Sequence, residues 1–285
     1  MSLIYSGTTI ENAVYNGTTL EKIIFNGTEV FSAGFTLNVT ISSNTTNYNI
    51  ASAATALGWD GVKKLKGTIT INSGVYVYST STGTPAFSTG TMPSGSDVTV
   101  VNNGTILGRG GDGGKGQGWD CQVGYAGTTG GVGFYATSGI KVTNNGRIAG
   151  GGGGGGGGKG GREYDGGDYS GYWPNIGGGG GGGIGNGSGG PATVTSQGSS
   201  GAGGSGSLTA YGAGGTKFIN GGEGGSGGTY GSSGSYGQNG PTTYPYPCSW
   251  CCIGGPFSGG GAGAAVVGTS NITWNATGTR NGAIS

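Results

Sequence analysis

Two uninterrupted glycine runs, Gly150–Gly158 and Gly177–Gly183, constrain this chain more than any other feature. A segment without side chains cannot be amphipathic, and glycine is poor in both helix and strand, so the ordinary hydrophobic routes to order are closed. Backbone hydrogen bonding remains, because every buried N–H and C=O needs a partner. An extended helix of the polyproline II type has three residues per turn and forms no internal hydrogen bonds. Glycine lets such helices approach closely enough to bond laterally, as at the crowded axis of collagen. The runs therefore predict a bundle of parallel and antiparallel glycine helices, with Gly150–Gly158 spanning about 28 Å at ~3.1 Å per residue. The competing reading is a flexible Gly/Ser linker.

Composition favours the packed reading. Of 78 glycines in 285 residues, 11 lie in 1–103 and 2 in 269–285, so the glycine is confined to residues 104–268. Disordered chains are poor in aromatic residues, whereas this one is 9% Phe, Trp and Tyr and only 8% charged. A net charge of +1 provides no field to hold nucleic acid or an anionic membrane. No apolar run approaches the ~20 residues of a membrane-spanning helix, and no basic-then-apolar leader opens the chain, so a soluble protein without an export signal is expected. Histidine is absent, which removes the commonest general base, metal ligand and partner of a nucleophile. A glycosidase pair needs two carboxylates ~5–10 Å apart, and Glu163, Asp165 and Asp168 come nearest in sequence. No catalytic residue, cofactor or metal is assigned.

Outside the glycine the text is β-like. Ile4-Tyr5-Ser6-Gly7-Thr8, Val14-Tyr15-Asn16-Gly17-Thr18 and Ile24-Phe25-Asn26-Gly27-Thr28 recur every ten residues. Asn-Gly between β-branched and apolar residues signals a hairpin, because both residues accept the positive φ of a type I′ turn. Residues 1–33 are expected to be a small β-meander, too short to bury a core alone and so an assembly module. Residues 34–103 read as a β-rich domain, alternating along Phe35–Ile41 and Gly67–Ile71, with one short Ala-rich helix between Asn49 and Leu57. A second repeat brackets the glycine as Val98–Ile106, Ile140–Ile148 and, more loosely, Ile272–Ile284. Each copy reads as a strand, an Asn-Gly turn and a return to an apolar residue. These β-elements should anchor the glycine region 104–268, with 269–285 a terminal β-element. The expected class is mostly β and irregular.

Aromatic clusters interrupt the glycine at Trp119–Tyr135, Glu163–Pro174 and Tyr230–Phe257. Tyr and Trp on a Gly/Ser background is the composition of binding loops, since rigid rings supply contact area at low entropy cost. Candidate binding residues are Tyr164, Tyr169, Tyr172, Trp173, Tyr230, Tyr236, Tyr244, Tyr246 and Trp250, some of which must instead pack. Cys121, Cys248, Cys251 and Cys252 read as disulfide candidates rather than a zinc site, for which two properly spaced pairs are lacking. Gly-x-Gly-x-x-Gly matches follow no strand and open no helix, and sequons such as those at Asn16, Asn26 and Asn275 are cheap in this text.

The ten-residue repeat ending Ile24-Phe25-Asn26-Gly27-Thr28-Glu29-Val30-Phe31 resembles N-terminal segments of bacteriophage tail proteins. The glycine runs with aromatic loops resemble the receptor-binding tip adhesins of T-even-like phages, over roughly residues 104–268. That resemblance implies a polyglycine II sandwich whose distal loops contact a bacterial surface protein or glycan. It further implies a virion tail location after synthesis in the host cytoplasm, and attachment through residues 1–33 to other tail proteins. A homo-oligomer, a trimer by preference, and no nucleic-acid or membrane partner complete the expectation. A purely structural virion part is the alternative; ice binding and polysaccharide cleavage are weaker ones.

Overall fold

The computed structural model describes residues 4–5, 8–9, 13–20, 22–26, 28–118, 123–164, 172–195, 198–218, 221–240 and 256–285. At the N-terminus three antiparallel hairpins follow one another: Ile4–Tyr5 with Thr8–Thr9, Ala13–Tyr15 with Thr18–Leu20, and Lys22–Phe25 with Thr28–Ser32. Asn16 at φ 48° and Gly17 at φ 77° form the two-residue turn that pairs Tyr15 with Thr18, and Asn26 repeats the value at φ 48°. A meander would join these hairpins edge to edge. Among the described residues each ladder closes within its own hairpin.

Beyond Ser32 the chain winds into a coil of parallel strands. A long sheet stacks Ile272–Ala276, Ile140–Asn144, Asp97–Asn102, Leu65–Ile71 and the pair Phe35–Thr36 and Val39–Ile41. A second sheet stacks Thr279–Asn281, Arg147–Ala149, Thr105–Leu107, Tyr76–Tyr78 and Thr45–Thr46. A third stacks Tyr48–Asn49, Phe87–Ser88, Phe134–Tyr135 and Val266–Val267. Successive coils visit the sheets in the same order, forming a three-sided solenoid in which each parallel crossover is made by the other two sides. Like side chains therefore stack inward. Val39, Ile69, Val100, Val142 and Trp274 share one column, and Val77, Ile106 and Ile148 another. Tyr48, Phe87 and Phe134 form a ring ladder with centroids 5.2 and 5.1 Å apart, close to the strand spacing itself. In the last coil Arg280 takes the position of Ile148, and its guanidinium lies 5.0 Å from the Trp274 ring centroid.

The Asn-Asn-Gly repeats are corners between the long and second sheets, not hairpin turns. Asn102 and Asn144 are buried, and the Asn102 amide donates to Asn144 Oδ1 at 2.7 Å and to the Arg147 carbonyl at 3.1 Å. Asn144 in turn donates to the Thr277 carbonyl at 2.7 Å, so the ladder continues into the terminal coil. Gly104 and Gly146 do not take positive φ; a Cβ there would meet the carbonyl oxygens of Val75 and Gly104, one coil below. Close stacking, rather than turn conformation, selects this glycine. One α-helix is present among the described residues, Ile50–Ala56, with Asn49 Oδ1 accepting from Ser52 N at 2.9 Å as its N-cap and Ile50 and Ala54 buried in the solenoid core.

The glycine-rich residues leave the solenoid where two coils pass from the second sheet to the third, after Leu107 and after Ala149, and return at Phe134 and Val266. The Gly150–Gly158 run shows how they pack. Gly151, Gly154 and Gly157 donate to the carbonyls of Gly131, Thr128 and Tyr125; Gly152, Gly155 and Gly158 donate to Ile184, Gly181 and Gly178; Gly153, Gly156 and Lys159 donate to Ser232, Ser235 and Gln238, all at 2.7–3.1 Å. Carbonyls of the run and of Lys159 after it accept from Gly111, Gly114 and Gln117, from Gly222, Gly225 and Gly228, and from Phe257, Gly260 and Gly263. Each neighbour is addressed every third residue, so the segment is walled in on all sides. Gly177–Gly183 is enclosed in the same way by segments 108–118, 150–160, 185–193, 200–207, 210–218 and 221–229. The result is three layers with the two pure runs in the middle one. A Cβ on Gly153, Gly154 or Gly155 would meet a different neighbour's carbonyl oxygen, that of Gly260, Asp112 and Gly225 respectively.

Outer segments carry side chains on the uncovered faces: Arg109, Asp112 and Lys115 recur every third residue in 108–118, and Glu223, Ser226 and Thr229 in 221–229. Segment 231–240 keeps glycine only at Gly231, Gly234, Gly237 and Gly240. A second apolar cluster fixes the layers to the solenoid. Leu107 and Ala149 on the outer face of the second sheet are buried with Ile184, and Tyr76, Tyr78, Leu208 and Tyr230 pack against them.

Candidate binding surface

The hydrogen-bond directions place the chain reversals of the glycine layers at two ends. The near end, against the solenoid, holds the reversals at 184–187, 207–211 and 229–232. The described residues that flank 119–122, 161–175, 194–199, 219–220 and 241–255 stand at the far end. The described residues that flank these connections are tied together. Gly177 N donates to the Gln117 carbonyl at 2.9 Å and Gln117 N to Gly158 at 3.0 Å; Lys159 N donates to Gln238 at 3.1 Å and Gly222 N to Lys159 at 2.8 Å. Phe218 and Ile176 exchange backbone hydrogen bonds at 3.0 and 3.3 Å, and Phe257 N reaches Gly157 at 3.1 Å. Thr193 Oγ1 donates to the Gly116 carbonyl at 2.7 Å while its backbone carbonyl accepts from Ser200 N at 3.0 Å. Stretches far apart in sequence are thereby presented side by side on a hydrogen-bonded lattice.

Within 161–175, Gly161–Tyr164 pairs antiparallel with Tyr172–Asn175, setting Tyr164 opposite Tyr172 and Glu163 opposite Trp173 in the ladder. A second far-end hairpin pairs Val194–Thr195 with Gly198–Ser199. Val123 and Tyr125, exposed at 63% and 59%, stand beside the 119–122 connection. Tyr236 is exposed at 69% on the outer face of 231–240, close to the far end. Tyr169, Tyr244, Tyr246, Trp250, Asp165, Asp168 and all four candidate cysteines, Cys121, Cys248, Cys251 and Cys252, lie outside the described residues.

Tyr230 belongs to the opposite end. Its hydroxyl donates to the Leu208 carbonyl at 2.8 Å, the Arg147 guanidinium lies 4.3 Å from its ring centroid, and burial pushes its hydroxyl pKa up. It packs in the cluster that joins the layers to the solenoid. The connections 194–199 and 219–220 carry no aromatic ring, so aromatic composition does not mark them. Their signal is a break in the glycine register, at Pro191–Gln197 and at Lys217–Asn220.

No curated protein matches this chain. Among solved structures it is similar to the gp37–gp38 adhesin tip complex of the bacteriophage S16 long tail fibre, with 25% identity and a TM-score of 0.56, covering 89% of this chain and 83% of that one. The family described as phage tail fibre adhesin Gp38 matches residues 36–285, which take in the solenoid and every glycine layer. This chain belongs to the phage tail fibre adhesin Gp38 family.

Proposed function

We propose that this protein is the receptor-binding adhesin of a phage tail fibre, and that the far end of its glycine layers meets a protein or glycan on the bacterial surface. The observation that carries the reading is that the residues flanking five connections meet at one end of a hydrogen-bonded lattice. Loops on a rigid scaffold are where recognition is usually built, because the ordering entropy is already spent before contact. In this reading the three-residue hydrogen-bond period is that of a polyglycine II bundle, and Tyr164, Tyr172 and Trp173 share the binding face with Tyr169, Tyr244, Tyr246 and Trp250. Tyr236 borders it. No catalytic step is assigned to any residue.

The similar S16 protein is solved in complex with a second tail fibre protein. Residues 1–33, which precede the family match, are proposed to attach this chain to such a partner in the virion tail. Association into a homo-oligomer, a trimer by preference, is read out by mass measurement in solution. Replacing Tyr172 and Trp173 by Ser is expected to abolish adsorption to host cells while the particle still assembles. Unchanged adsorption with this pair and with Tyr244 and Tyr246 replaced together would reject the far end as the binding face. A fibre that positions the far end toward the virion would instead favour a purely structural part.

A further inference from the structure

On the solenoid, where the third sheet hands the chain to the long sheet, three successive coils border a cleft of about 350 Å3. This lies at the small end of the ~300–1,000 Å3 usual for ligand pockets. The cleft is lined by 96–98, by 139–141, and by Ser270, Asn271 and Thr273. At its mouth Lys141 Nζ is 2.8 Å from Asp97 Oδ1, with both side chains about half exposed. Ser96 is fully engaged, donating to the Pro93 carbonyl at 2.8 Å and accepting from Leu65 N at 3.0 Å. The Asn271 amide donates one hydrogen to the Ala136 carbonyl at 3.0 Å, which leaves its second hydrogen and Oδ1. The hydroxyls of Ser270 and Thr273 hold no hydrogen bond to the described residues.

We infer that this cleft is a subsite for a neutral pyranose, separate from the far-end surface. The free groups alternate acceptor and donor: a second carboxylate oxygen, ammonium hydrogens, two hydroxyls, and an amide hydrogen and oxygen. A sugar hydroxyl donates and accepts at once and can bridge such neighbours. The two charges are already paired, so the cleft offers no net charge to draw in an anionic or cationic ligand. Gly139 is the second observation. Its φ lies outside the left-handed region and a Cβ there would meet nothing within 4 Å, so neither conformation nor packing calls for glycine. Open space over Gly139 is what a ligand would occupy.

The test is an NMR titration of the full chain with glucose, galactose and N-acetylglucosamine, with glucuronate and inorganic phosphate as charged probes and a host surface polysaccharide as a separate arm. Expected are shifts at the amides of Gly139, Lys141 and Thr273 with a millimolar dissociation constant for at least one neutral sugar. Gly139→Trp should weaken that binding at least tenfold without lowering the thermal midpoint, and the pair Asp97→Asn with Thr273→Val should do the same by removing partners rather than space. Binding of the polysaccharide and not of monosaccharides, lost in both variants, would identify a chain-internal residue as the ligand. No shifts with any neutral sugar or polysaccharide, shifts that persist in both variants, or tighter binding of glucuronate or phosphate would each overturn the proposal. None of these outcomes bears on adsorption through the far end.

Discussion

The solenoid and the glycine layers solve the same problem with opposite materials. The solenoid buries columns of Val, Ile and Phe, each worth roughly 1.5–3 kcal/mol when withdrawn from water, and hydrogen-bonds the backbone of its strands to the coils above and below. The layers have almost no apolar side chain to bury, and each central segment hydrogen-bonds to neighbours all around it. Tolerance should differ accordingly. A solenoid core accepts a changed side chain at a cost set by the volume lost, whereas the centre of the layers has no volume to give. The boundary between the two regimes is the small cluster around Leu107, Ala149, Ile184 and Tyr230.

The largest effect is expected at the centre of the layers. Gly155→Val places atoms on the Gly225 carbonyl, and a loss above ~5 kcal/mol is expected, enough to unfold the layers. Hydrogen exchange should then show fast amides in 108–133 and 150–264 while the solenoid amides stay protected. Equal loss of protection in both regions would mean that they fold as one unit. Next comes Phe134→Ala, which removes the last ring of the ladder and its contact with Phe87, and should cost about 3–5 kcal/mol by denaturant titration. Asn144→Ala deletes a buried amide that both accepts from Asn102 and donates to Thr277, for about 1–3 kcal/mol; no change would show that the ladder follows from stacking and does not hold it. At the boundary, Tyr230→Phe removes the bond to Leu208 but keeps the ring, and about 1 kcal/mol is expected.

The smallest effect sharpens the contrast. Gly204 is exposed on the outermost segment of the middle layer, and a Cβ there would approach nothing closer than 3.4 Å. Gly204→Ala should be neutral or stabilising by up to ~1 kcal/mol, since it restricts the unfolded chain. If it proves as damaging as a change at Gly155, close approach is not why the layers use glycine.

Much of this contrast was legible in residues. The strand alternation at Gly67–Ile71, the helix opened by Asn49 and the positive-φ turn at Asn16-Gly17 depend on neighbours in sequence, so local chemistry announces them. The Asn-Asn-Gly repeats mark 98–106 and 140–148, and more loosely 272–284, as equivalent, but in sequence Gly104 and Gly146 look like turn formers. The reason they are glycine is a carbonyl one coil away, which no local pattern contains. Tyr230 illustrates the same limit. Its Gly/Ser surroundings match those of a binding loop, and only the path of the chain shows that it packs against Arg147 at the solenoid.

By itself the sequence determined that the glycine region must be held by its backbone, because Gly150–Gly158 and Gly177–Gly183 offer nothing else. It also recorded how covered each segment is, since a side chain survives only on a face with no neighbour. The tertiary structure alone decided which segments are neighbours, which end of the layers meets the solenoid, and that the residues flanking 119–122, 161–175, 194–199, 219–220 and 241–255 stand together at the other end. Lateral hydrogen bonds between identical glycines carry no sequence label, so register and direction are settled by the connections and by where the solenoid releases and recovers the chain.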